Sequence, residues 1–153
     1  MKVFLFLAIF VTLFCVGTPS GRAQGPAKTG PAPATLRDPD LEKDAMHNLE
    51  VARHYFKLKK AYLAAIQRCE EVIAGNPTFA RIDEVLFIAG ESSLMLAKGK
   101  GKQTVKLSAD ELRKDAREYL SQLVNDYPDS TFRKQAVEDL KDLGGLKSKE
   151  EKQ

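Results

Sequence analysis

The chain has 153 residues, of which 24 are lysine or arginine, 21 are aspartate or glutamate, and only two are cysteine. That length supports one modest domain with a single core, and two cysteines are too few for a disulfide-stapled scaffold. The near-balance of charge excludes the strongly basic footprint of a nucleic-acid binder.

The chain opens with Lys2 and an apolar run from Val3 to Val16, broken by Gly17, Thr18 and Pro19. A stretch of about 14 residues is shorter than the roughly 20 that cross a bilayer, and Gly21 and Ala23 stand where a signal peptidase needs small residues. Residues 1–23 therefore read as a secretory signal, with the mature chain beginning at Gln24 in the periplasm or at the outer membrane. Cys15 raises the rival reading of a lipid-attachment site. Bulky Phe14 before it stands where that signal wants a small residue. Removing residues 1–23 takes away Lys2 and Arg22 and no acid, leaving 22 basic and 21 acidic residues, a net charge of about +1. Only Cys69 then remains, so no disulfide forms within the mature chain.

Residues 24–38 hold Pro26, Pro31 and Pro33 and almost no large apolar side chain, which describes an extended, disordered tether. Residues 39–145 carry apolar side chains at helical spacing in five stretches, with no strand-like alternation, so the domain is expected to be all-α. The first helix starts at Asp38-Pro39-Asp40, presents Leu41, Ala45, Leu49, Ala52, Tyr55 and Phe56, and closes at Lys59-Lys60. The second spans about 61–74, with Tyr62, Ala65, Ile66, Cys69, Val72 and Ile73 inward, and stops at Gly75-Asn76-Pro77. The third spans about 80–97 and ends in the loop Lys98 to Leu107. The fourth begins with the capping box of Ser108 and Glu111 and runs to about Tyr127. The fifth carries Phe132, Ala136, Val137, Leu140 and Leu143 and ends at Gly144-Gly145. The charged tail 146–153 has nothing to pack.

Few residues suggest chemistry. Cys69 lies on an apolar stripe, where a thiol behaves as a small hydrophobe. His47 and His54 share a helical face two turns apart, without further ligands at metal-binding spacing. Gly99-Lys100-Gly101-Lys102 is not a phosphate loop, because Leu96 stands where its first glycine belongs and Gln103 where Ser or Thr belongs. The acids Glu70-Glu71 and Glu138-Asp139 point to different sides of their helices. No nucleophile elbow appears. No cofactor, metal or enzymatic activity is expected. Lys98, Lys100, Lys102 and Lys106 sit in a stretch without acids, which offers a positive loop to anionic lipid headgroups or an acidic partner; a merely solvated loop accounts for it too.

The second and fourth helices repeat one another when set on the prolines that follow them, Pro77 and Pro128. Each has an alanine twelve residues earlier, Ala65 or Ala116, and apolar residues eight and five earlier, Cys69 and Val72 or Leu120 and Leu123. The preceding helices carry Ala52 and Gly90 where a close crossing needs small residues. This pattern resembles the tetratricopeptide repeat, a helix-turn-helix of about 34 residues with small residues at the crossing and proline at its end. The spacing of 51 from Ala65 to Ala116 implies an insertion of about 17 residues around 98–107. The segments from Tyr62 to Ile66 and from Tyr119 to Ser130, above all Tyr127-Pro128-Asp129-Ser130, look like exported envelope members, the BamD-type outer-membrane assembly lipoproteins and the CpoB-type cell-division coordinators.

The resemblance implies a short right-handed superhelix of about five antiparallel helices, acting as a protein-binding scaffold of the bacterial envelope. A groove formed by the first and third helices, capped by the fifth, would hold a peptide or partner helix. Mapped by position, it is lined by Arg53, Phe56, Phe87, Glu91 and Leu94, of which Phe56, Phe87 and Leu94 also fit a core role. A rival outcome is self-association into a homodimer, because two and a half repeats leave end faces to cover.

Overall fold

The computed structural model describes residues 37–145; the expected signal 1–23, all but two residues of the tether 24–38, and the tail 146–153 lie outside them. The described residues form five helices and no strand. Helix α1 (Pro39–Arg53) begins where Asp38 Oδ1 accepts from the amides of Asp40 (2.9 Å) and Leu41 (3.4 Å), with Pro39 in the first turn. Asp38, the last residue of the expected tether, is thus the cap of α1.

The first helix does reach Lys59, but its last six residues, His54–Lys59, widen into a π-helical turn. Lys60 follows at φ 51°, a left-handed conformation that few lysines adopt, and the amides of Lys60 and Ala61 both bond to the carbonyl of Tyr55. Helix α2 (Tyr62–Gly75) starts two residues later. Helix α3 (Ile82–Ala97) starts two residues after the sequence expectation, since Phe79 to Arg81 are spent in a turn. Helix α4 (Ala109–Asp126) has its capping box: Ser108 Oγ accepts from Glu111 N at 3.3 Å, and Glu111 Oε2 accepts from Ser108 N at 2.8 Å. Helix α5 (Arg133–Asp142) ends in Gly144 and Gly145, both at positive φ.

The connection from α2 to α3 and that from α4 to α5 are the same turn, 51 residues apart. In the first, Asn76 N bonds to Val72 O (2.8 Å), Phe79 N to Asn76 O (3.0 Å) and Ile82 N to Phe79 O (3.1 Å). In the second, Tyr127 N bonds to Leu123 O (3.0 Å), Ser130 N to Tyr127 O (3.1 Å) and Arg133 N to Ser130 O (3.1 Å). Asn76 (φ −144°, ψ 77°) and Tyr127 (φ −128°, ψ 66°) leave their helices in nearly the same conformation, each just before a proline that cannot continue the helix. An acid from the first helix of each hairpin ties its turn down. Glu42 of α1 accepts from Asn76 Nδ2 (3.0 Å) and Ala80 N (3.3 Å), and Asp83 of α3 accepts from Ser130 Oγ (2.7 Å).

Successive helices pack side by side, and α3 is the centre: thirteen of its sixteen residues are buried, as an element apolar nearly all round requires. Its crossing with α4 is close at Gly90. A Cβ placed on Gly90 would lie 2.7 Å from both Cγ and Cδ2 of Leu120 and 3.4 Å from the Ala116 carbonyl. Ala116 is fully buried at this same crossing, and Ala52 and Ala65 are fully buried on α1 and α2, so small residues stand in the helix interfaces.

Candidate functional site

The five residues mapped to a groove do not share one open surface. Arg53 is turned inward: its Nε and Nη2 donate to Glu84 Oε1 (2.6 Å) and Oε2 (2.8 Å), a two-point clamp from α1 to α3. Arg81 Nη2 adds a third bond to Glu84 Oε2 at 2.6 Å. Burial alone would push the Glu84 carboxyl up, but the hydrogen bond and charge of Arg53, with Arg81 and Lys57, outweigh it and hold Glu84 below the usual carboxylate range. Leu94, 4% exposed, belongs to the core between α3, α4 and α5. Both residues are therefore components of the fold, not groove contacts.

Glu91 is also spent internally. It is 7% exposed, faces the Asp139 carboxylate of α5, and keeps Oε1 without a hydrogen-bond partner. Burial first, and then Asp139, push its carboxyl up to about 8, against the opposing pull of Lys98. Burial and the neighbouring Asp139 thus favour the protonated form of the Glu91 carboxyl, which can then hydrogen-bond to Asp139 across α3 and α5. The folded state holds this proton where the unfolded chain has released it, so the contribution is present below the ordinary carboxylate range and is lost as pH rises toward 8. Glu91→Gln keeps the neutral donor. It should leave stability at pH 5 nearly unchanged and raise it at pH 8 by about 1–3 kcal/mol, read from urea midpoints at the two pH values.

Phe56 and Phe87 remain half-buried. Phe56 meets Tyr62 edge-on (centroids 5.9 Å apart, 63° between planes) beside Leu96 and Ala97, at the C-terminal end of α3. Phe87 stacks on Phe132 (4.8 Å, 23°) near the N-terminal end of α3. Nine residues of helix from Phe87 to Leu96 put these sites about 13 Å apart. They are two separate places along α3.

A concavity that no local pattern announces lies between α2 and α4. It encloses about 180 Å³, with Leu63, Ile66 and Leu112 as walls, Ser93 of α3 at its floor, and Glu70, Asp115 and Tyr119 at its rim. Tyr119 Oη donates to Glu70 Oε1 at 3.2 Å across the two helices, and burial followed by the Glu70 charge raises the phenol above its usual range. Aliphatic walls under a carboxylate rim suit the stem and head of a partner's lysine or arginine. Glu70 and Tyr119 are 49 residues apart in the chain, so only the packing of α2 beside α4 brings them together.

Lys98, Lys100, Lys102 and Lys106 are all exposed in the loop between α3 and α4. That loop is nonetheless anchored: Gln103 Oε1 accepts from Leu63 N at 2.9 Å, Val105 packs on the cluster around Tyr62, and Gly101 passes close to the Lys60 carbonyl. Cys69 is fully buried, and burial raises its thiol to about 12, which denies it the thiolate a nucleophile needs. His47 and His54 lie exposed on α1 and its π-helical end. No helix among the described residues is long and apolar enough to cross a membrane. No protein-family model, curated protein or solved structure matches the chain.

Proposed function

We propose that this chain is a non-catalytic protein-protein interaction scaffold of the bacterial cell envelope, built as a short tetratricopeptide-like superhelix. The observation that carries the reading is the turn repeated at a spacing of 51 residues, with the same three backbone hydrogen bonds and the same following proline. A chain that repeats a helix-turn-helix unit is a hairpin array, and arrays of this kind present side chains of successive helices to other proteins. The signal-like residues 1–23 support export, and Tyr127-Pro128-Asp129-Ser130 supports kinship with BamD-type assembly factors or CpoB-type adaptors.

The end helices bear on the rival of self-association by stacking. The outward residues of α5, among them Arg133, Lys134, Gln135, Glu138 and Lys141, are exposed and polar, and those of α1 include Lys43, Asp44, His47 and Glu50. Polar outer faces are what capping helices of a repeat array carry. The accessible contact points are then Phe56 and the cleft between α2 and α4.

A photo-crosslinking amino acid placed at Phe56, at Gln67 on the cleft, or at Lys134 on the polar face of α5 separates the readings in cells that express the full chain. The scaffold reading expects a bond to a different envelope protein from Phe56 or Gln67 and none from Lys134. Bonds only to a second copy of this chain would establish self-association instead, and no bonded protein from either position would end the proposal.

A further inference from the structure

Charge is segregated along this fold far more than the net balance suggests. Between residues 37 and 145 there are eighteen lysines and arginines and nineteen aspartates and glutamates. Two stretches, 51–69 and 92–109, hold nine of those cations and none of the acids. The fold brings the two stretches together. The carbonyl of Lys60 and the ring of Tyr62 lie against Gly101, Gln103 accepts from Leu63 N, and Val105 packs with Phe56 and Tyr62. With successive helices packed side by side, the α1–α2 link and the α3–α4 loop lie together at one end and the two repeated turns at the other. One end of the domain is therefore basic, and the rest carries nine cations against nineteen acids.

Of the nine cations in these two stretches, Arg53 and Arg68 pair with Glu84 and Glu71 along the helices. The other seven are lysines, all exposed: Lys57, Lys59 and Lys60 at the π-helical end of α1, and Lys98, Lys100, Lys102 and Lys106 in the facing loop. Asp110 and Glu111, which follow the loop, are engaged by Arg113 and by the amide and hydroxyl of Ser108, while Glu84 lies near Lys57 and Glu91 near Lys98. Two of the three large hydrophobic side chains exposed among the described residues stand at this end, Leu58 (73% exposed) and Leu107 (46%). The π-helical turn sets Leu58 between Lys57 and Lys59 without a core contact.

We propose that this basic end docks on the surface of an anionic phospholipid bilayer, with Leu58 and Leu107 reaching between the headgroups. Lysines are compact point charges on flexible stems, suited to a diffuse anionic surface; the planar forks of arginine, suited to bidentate recognition of a specific carboxylate or phosphate, are absent from the exposed set. Each lysine near an anionic leaflet adds attraction that decays within a Debye length, and aliphatic tips beside them add apolar burial. Tyr62 at this end is buried and Phe56 packs edge-on against it, so no row of exposed aromatic faces offers the stacking platform of a single-stranded nucleic-acid binder. Docked this way, the repeated turns at residues 76–81 and 127–132 face away from the membrane.

The chain contains no tryptophan, so one introduced indole reports on one place. Leu58→Trp in the full chain should shift its emission to the blue with phosphatidylglycerol vesicles and not with phosphatidylcholine vesicles. Thr131→Trp, in the repeated turn at the opposite end, should stay unshifted with both. Changing Lys98, Lys100, Lys102 and Lys106 to glutamine should weaken the vesicle concentration dependence of the Leu58→Trp shift by roughly tenfold or more, with helical circular dichroism retained. Moderate salt should weaken it likewise. An equal response at Thr131, an equal response to neutral vesicles, or a response indifferent to the four lysine changes would overturn the assignment. So would soluble polyglutamate producing the same shift as the vesicles, which would make the end a dock for acidic polypeptides.

Discussion

Leu120→Ala is expected to destabilise the domain by about 2–5 kcal/mol, and to reverse the sign of a second substitution, Gly90→Ala. Leu120 is fully buried in the core that α4 shares with α3 and α5, and its Cγ and Cδ2 occupy the space beside Gly90. In the native background a methyl on residue 90 collides with Leu120 at 2.7 Å and approaches the Ala116 carbonyl. Alanine is preferred to glycine inside helices by about 1 kcal/mol, yet the clash should make Gly90→Ala a net loss of about 1–3 kcal/mol. Once Leu120 is truncated, the new methyl fills part of the cavity and the helix preference is expressed, so Gly90→Ala should become neutral or stabilising. A double-mutant cycle in urea reads this directly. Effects that add within about 0.5 kcal/mol would show that the two residues do not compete for the same space.

Glu84→Gln should cost about 2–3 kcal/mol at neutral pH, because it leaves the half-buried Arg53 without the carboxylate that takes both of its donors. The figure is set below that for a fully buried pair because the Arg53 side chain keeps 23% of its surface and that of Arg81 keeps 47%. The pH dependence fixes the sign. The Glu84 carboxyl is held below its ordinary range in the folded state, so its contribution is complete above the unfolded pKa and is lost as pH falls through the folded one. The gap between wild type and Glu84→Gln should therefore close in acid. Glu91 behaves oppositely, its carboxyl raised by burial and Asp139, and the Glu91→Gln gap should open as pH rises. Two glutamates seven residues apart on one helix thus give stability profiles of opposite slope, each set by its neighbour: a guanidinium for Glu84, a carboxylate for Glu91.

These two residues also show where reading the chain stops. Their positions on a mostly apolar helix could be counted from the sequence, but their partners, on α1 and α5, are 31 and 48 residues away. Arg53, Glu91 and Leu94 occupy repeat positions that would face a groove, and in the fold each is taken up by a neighbouring helix. Phe56 and Phe87 keep partial access because each packs on only one aromatic neighbour, Tyr62 and Phe132. The cleft holding Glu70 and Tyr119 was not legible, since no spacing rule links residues on two helices that merely pack against each other.

Local chemistry was decided within the sequence. The five helices, the Ser108 cap, the stops at Pro77 and Pro128, the alanines and the glycine at the crossings, and the burial of Cys69 follow from periodicity and from side chains acting on their own backbone within one turn. The first helix is the instructive exception. Its apolar stripe correctly carried it to Lys59, but the π-helical widening at 54–59 depends on fitting Phe56 against Tyr62 and on turning back through a left-handed Lys60, which periodicity does not encode. Tertiary structure alone decided which charges neutralise one another and which stay free. Whether a lysine or glutamate is buried, paired or exposed depends on the few ångströms between helices distant in sequence, and a one-dimensional charge balance near zero is equally compatible with an even surface or with the basic end and acidic remainder found here.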